Sequence, residues 1–267
     1  MKKFLMTAVA SLLAGGALCA GEVEFKLEKA ADWQKNGAVK WVGKDKDVME
    51  VTGPAAVISS KMFDIVPGKA YKLEAEVKML SGEAAPTYIG FKLFNKQGKE
   101  ISAHFVNARP GSETTVVKAV KAGDKVMIVK ANPLWKTGFY AVALNAQKDL
   151  SDLPNFDCLI PSKVTAKGQE IEVQLKTPAA KAIPAGTVVR AHTGGGYMYT
   201  AGGKTLAPNG KEIEFKGIAK GFSKYNMGPS IFAPGTAKAQ VIMLVNWKWS
   251  YKQKSVTQIK DVELEIK

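Results

Sequence analysis

Lys61-Met-Phe-Asp-Ile-Val-Pro-Gly-Lys-Ala-Tyr-Lys-Leu-Glu-Ala-Glu-Val-Lys-Met79 decides the fold. Pro67-Gly68 predicts a turn, because proline presets φ and glycine accepts positive φ. Beyond the turn, Tyr71, Leu73, Ala75, Val77 and Met79 alternate with Lys72, Glu74, Glu76 and Lys78. A period of two marks a strand with one buried and one wet face.

Working outward, the same pattern recurs. Residues 22–29 alternate, and Val39–Val42 and Asp47–Val51 flank the turn at 43–47. Thr87–Phe94 puts Tyr88, Gly90, Lys92 and Phe94 on one face, and Glu100–Val106 reads as another strand. Lys238–Val245 is an almost continuous apolar run, as a fully buried strand requires. Val256–Ile266 closes the chain with Val256, Gln258, Lys260, Val262, Leu264 and Ile266 on one parity. Short strands separated by turn signals predict an all-β sandwich. No helical period is convincing, and Ala141–Asp149 comes nearest to one.

The middle of the chain differs in character. Leu150–Pro161 reads as an irregular loop with two prolines and two acids, while Gln169–Leu175 alternates as a strand. We read 111–183 as a small all-β subdomain inserted into a sandwich built from 21–110 and 184–267. Two consecutive sandwiches are the rival arrangement, but neither half alone has the strands to close one.

Lys2 and Lys3 followed by the apolar run Phe4–Leu18 form a secretory signal over residues 1–20. Cys19 admits a lipoprotein signal, although Leu18 stands where such signals want a small residue. No second apolar stretch is long enough to span a bilayer, so no transmembrane segment is expected. After cleavage Cys158 alone remains, so no internal disulfide can form. It reads as a small buried hydrophobe.

The formal charge is +14, nearly all of it from lysine, since Arg109 and Arg190 are the only arginines. Sequence-specific nucleic-acid readers lean on arginine, so no nucleic-acid partner is expected. A lysine-coated secreted chain suits anionic cell-surface polymers or is simply well solvated.

The Pro-Gly turn before Lys69–Met79, its repeat in Phe232-Ala-Pro-Gly-Thr236, and the ending Thr257-Gln-Ile-Lys-Asp-Val-Glu-Leu264 resemble jelly-roll carbohydrate-binding modules with a galactose-binding-like fold. The resemblance covers roughly 21–110 and 184–267. It implies a jelly-roll β-sandwich, a glycan or polysaccharide partner, and a structural Ca²⁺. Glu22 or Glu24 would supply the first-strand carboxylate and Asp261 the last-strand one. Only one acid stands at the end, where such modules commonly carry two.

Sugar binding needs flat apolar platforms beside hydrogen-bonding groups. In extended chain, Trp247, Trp249 and Tyr251 would project from one face about 7 Å apart, beside Asn246. Tyr197 and Tyr199 share parity next to Gly194–Gly196. Against this, rings at a strand exit also plug cores, and the tyrosines also suit ordinary cross-strand pairing. Trp33 and Trp41 read as core or rim, and Trp135 as a ring in the insert. His104 and His192 lie too far apart in sequence to suggest zinc.

No Gly-x-Ser-x-Gly elbow, phosphate-binding loop or His-Glu-x-x-His occurs. The expectation is therefore a secreted or periplasmic protein that binds carbohydrate without catalysis, with acidic polymers the best match to its charge. A structural or adhesion protein of the cell envelope and a polysaccharide-active enzyme are the alternatives.

Overall fold

The computed structural model describes residues 22–135, 140–248 and 254–267. Residues 1–20, expected to be a secretory signal, lie outside them. In chain order the strands begin with β1 (Val23–Lys26), β2 (Val39–Val42), β3 (Val48–Thr52), β4 (Ala55–Ile58), β5 (Phe63–Asp64), β6 (Ala70–Ser81), β7 (Ala85–Phe94) and β8 (Glu100–Ile101). A single helical turn, α1 (Ala103–Val106), follows. Next come β9 (Thr114–Thr115), β10 (Val126–Lys130), β11 (Ala141–Leu144), β12 (Cys158–Leu159), β13 (Pro161–Lys167), β14 (Glu170–Leu175) and β15 (Val188–His192). The chain ends with β16 (Met198–Leu206), β17 (Glu212–Lys220), β18 (Lys238–Val245) and β19 (Val256–Ile266).

The protein is an all-β sandwich of antiparallel sheets with a second, smaller set of sheets. One six-stranded sheet runs β17-β6-β19-β3-β2, with β1 beside β3 on β19. The other runs β16-β7-β18-β4, with β5 and β8 at its flanks. Tyr71, Leu73, Val77 and Phe215 of the first sheet share one core with Ile89, Phe91, Val241 and Met243 of the second. Each such side chain contributes on the order of 1.5–3 kcal/mol by leaving water.

The opening stretch behaves as its pattern dictates. Tyr71 to Met79 bury every second residue of β6. Gly68 sits at φ 87° in the turn. The buried Tyr71 hydroxyl then pins that turn, donating to the Asp64 carbonyl at 2.8 Å and accepting from Val66 N–H at 2.7 Å.

Among the described residues the two sheets close against each other where β16 leans onto β17. Gly217 of β17 permits that approach, since a Cβ there would strike the Thr200 carbonyl. Within its own sheet β16 bulges over Gly90 of β7, where a Cβ would strike the Met198 carbonyl. On the opposite side the edges are β2 and β4, which do not pair with one another.

The second set of strands has its own core. A four-stranded sheet, β12-β11-β15-β9, and a three-stranded one, β10-β14-β13, enclose Met127, Trp135, Val142, Val173 and Val189. Every buried member of this core falls between Val116 and Ala191, and every buried member of the sandwich core falls outside that range.

Three details depart from the sequence reading. Val188–His192, expected in the sandwich with everything from residue 184 onward, instead pairs with β11 and β9 in the second module. Val189 and Ala191 are apolar enough for either core, and only long-range pairing assigns them. Ala103–Val106, expected as strand, is a helical turn, while the best helical candidate, Ala141–Asp149, begins as a strand over Ala141–Leu144. Finally, β19 does not keep one parity. Thr257 and Ile259 face the core, then Asp261 adopts φ 49° at a bulge, and Val262 and Leu264 face the core beyond it. Aspartate tolerates this left-handed conformation better than most residues.

Candidate functional site

The cluster expected at the end of β18 divides. Asn246 is completely buried. Its Nδ2 donates to the carbonyls of Gly53 (3.1 Å), Ser255 (3.2 Å) and Val51 (3.4 Å). Its Oδ1 accepts from the Thr257 hydroxyl at 2.7 Å. With φ 53°, it turns the chain out of β18 and ties the two sheets together at that tip. Trp247 is half-buried, and its backbone N–H donates to Pro86 at 2.8 Å. Trp249 and Tyr251 lie outside the described residues.

Tyr197 and Tyr199 are half-buried, and burial pushes both phenols up. The Tyr199 hydroxyl bonds to the backbone of Tyr197, and its ring packs 4.8 Å from that of Tyr88. Tyr88 lies over Gly203, where a Cβ would collide with the ring. Tyr199 and Tyr88 thus pack ring to ring across neighbouring strands.

The three carboxylates suggested for Ca²⁺ are not brought together. Glu22 pairs with Lys267 at 2.7 Å. Glu24 stands opposite Glu265, four residues along β19 from Asp261, or about 13 Å at strand rise. Asp261 points to solvent beside Lys260 at 3.8 Å. Calcium wants six to eight oxygens around one point, and this set does not fit one ion. Among the described residues no group of three or more His, Cys, Asp or Glu side chains is placed to hold a metal.

The wet face of the first sheet absorbs much of the acid in the protein. Lys72 and Lys216 meet at Glu74, with Lys72 also reaching Glu265 at 3.4 Å. Lys260 contacts Glu76 at 3.0 Å and Glu212 at 3.2 Å. Lys26 reaches Glu263 at 3.5 Å. Carboxylates gathered into these cross-strand ladders leave lysines elsewhere with fewer counter-charges.

A cleft lies at the open side of the sandwich, between edge strands β2 and β4 and under the loop at 30–37. It encloses about 420 Å³ and is lined by Trp33, Gln34, Lys35, Asn36, Trp41 and Val57, among others, with no carboxylate. Trp33 forms its floor. The ring is only 5% exposed, and its indole N–H donates to Leu27 at 3.0 Å. Trp41 faces inward on an edge strand with no strand beyond it, so its ring stays half-exposed.

The loop is held by its own polar groups. Asn36 donates to Ala56 at 2.9 Å and accepts from Ala38 N–H at 3.0 Å. The backbone of Gln34 donates to Ile58 at 2.9 Å, while its side-chain amide reaches Ser59 only at 3.5 Å. That amide is therefore weakly engaged. Lys35 is exposed and forms no ion pair among the described residues. The arrangement combines an aromatic wall, an amide with spare hydrogen-bonding capacity and a cation. Sequence reading placed Trp33 and Trp41 as core or rim. The available signal was two tryptophans bracketing the polar loop Gln34-Lys-Asn-Gly37.

In comparisons with known proteins, no protein-family model matches this chain and no curated protein matches its sequence.

Proposed function

We propose that this chain is a secreted carbohydrate-binding protein of jelly-roll type, without catalytic activity, that takes a saccharide in the edge cleft between β2 and β4. The observation that carries the reading is the partly exposed Trp41, which lines a cleft of about 420 Å³ together with the buried Trp33. A pyranose presents a C–H face that stacks on such a ring, and its hydroxyls seek amides such as Gln34. The absence of carboxylates from the lining supports binding over glycoside hydrolysis, which needs two. Lys35 and the overall charge of +14 favour acidic polymers, including anionic cell-surface polysaccharides.

Affinity electrophoresis against neutral and acidic polysaccharides tests this. Trp41→Ala should abolish retardation while leaving the melting temperature within a few degrees, because the ring is not fully buried. Acidic polymers should retard the protein more at low ionic strength, and the excess should fade near physiological salt, where the Debye length is about 8 Å. Unchanged retardation of the Trp41→Ala protein would rule out the cleft.

A further inference from the structure

The two modules meet across a buried polar seam. The face of the four-stranded sheet opposite its core carries Arg190 and His192, both with no exposed surface. The Arg190 guanidinium grips Asp152 with two bonds, of 3.1 Å to Oδ1 and 2.7 Å to Oδ2, and donates to the Gln147 carbonyl at 3.0 Å. Its remaining Nε–H donates to His192 Nε2 at 3.1 Å. The other ring nitrogen, Nδ1, faces the His104 carbonyl of α1, in the sandwich, at 2.8 Å.

These partners leave the imidazole one protonation state. Nε2 must accept, because a guanidinium N–H cannot, and Nδ1 must donate, because a carbonyl can only accept. The ring is thus a neutral bridge with one end in each module. A second proton would have to sit on Nε2, donor against donor and cation against cation.

We propose that His192 is an acid-sensitive latch, whose protonation opens the seam between the sandwich and the second module while both cores stay folded. The groups around it favour that outcome. Arg190 opposes a second positive charge on the ring. The Asp152 carboxylate, which could stabilise one, is already occupied by Arg190. Glu113 lies 3.9 Å from the guanidinium and not against the ring. His104, on α1, is itself partly buried and shifted toward its neutral form, with Glu100 only partly opposing that. Cys158, on β12, holds its proton and supplies no charge. Tyr140 meets His192 through its backbone N–H, which donates to the His192 carbonyl at 2.7 Å.

Burial, opposed by the bond to His104 and reinforced by Arg190, pushes His192 down to about 4. In an opened seam it would return to its ordinary value near 6.5. The closed form therefore binds fewer protons. The latch is at full strength above pH 6.5 and weakens as pH falls toward 4. From those two values the opening equilibrium rises about 30-fold by pH 5.

Hydrogen exchange, corrected for intrinsic rates, tests this at pH 7.5 and pH 5. The seam amides are those of Arg109, Asn155 and Thr193, which donate to Ala191, Phe105 and Asn107. They should lose protection about 30-fold more than Val173 or Val241 in the two cores. In His192→Gln the extra loss should vanish, and in His104→Gln it should persist. Equal loss at seam and cores, or the same loss in His192→Gln, would overturn the proposal. Should His192→Gln not fold, proton NMR titration of the wild-type chain decides. It contains only two histidines, and a His192 midpoint near 6.5 would refute the latch.

Discussion

Replacing Asn246 by alanine should cost the sandwich about 4 kcal/mol. The Asn246 amide has two N–H donors shared among three carbonyls and one oxygen accepting from Thr257. Three effective bonds at about 1 kcal/mol each give roughly 3 kcal/mol, since no water reaches the site to replace them. Alanine at φ 53° adds about 1 kcal/mol, because its Cβ crowds the backbone in the left-handed region. Asn246→Gly removes the second contribution and keeps the first, so it should be about 1 kcal/mol less damaging than Asn246→Ala. Asn246→Asp should be worse than either, because it buries a carboxylate against three carbonyl oxygens. Urea titration read by hydrogen exchange in the 238–245 peptide isolates the sandwich transition from that of the second module. A loss below about 1 kcal/mol would refute this account, as would a glycan-binding defect without destabilisation, which would return Asn246 to a ligand role.

Gly90→Ala should destabilise the sandwich by at least the 1–3 kcal/mol typical of overpacking, because the obstacle is the backbone carbonyl of Met198 and not a flexible side chain. Thermal unfolding beside a control at Gly98, where a Cβ meets nothing but φ is 76°, separates crowding from backbone strain. The Cys158 thiol, pushed up to about 12 by burial and the nearby Asp157, should be alkylated at pH 8 about 1,000-fold more slowly than a free thiol, since only the thiolate reacts. Mass spectrometry of a chain starting at residue 21 measures this, and a native rate matching that in denaturant would contradict the half-buried placement of the thiol.

Much of the fold was legible because strand periodicity is local. Tyr71–Met79 declares its buried face through five alternate apolar residues, and Lys238–Val245 declares burial on both faces by having almost no polar break. The Pro67-Gly68 turn is written in two residues whose own φ preferences suffice. What stayed hidden depends on partners far away in sequence. Val188–His192 has the same apolar character whether it joins the sandwich or the second module, and only its pairing with Ala141–Leu144 decides. Asp261 looks like any exposed acid, yet its left-handed conformation reverses the parity of the last strand, because the strands flanking β19 fix where each half must face. Asn246, beside two tryptophans, had the company of a sugar ligand. Its burial follows from three carbonyls delivered by Val51, Gly53 and Ser255. The cleft is the clearest case. Trp41 is half-exposed because β2 happens to be an edge strand with no partner in the facing sheet, and strand order is a property of the whole chain, not of any window in it.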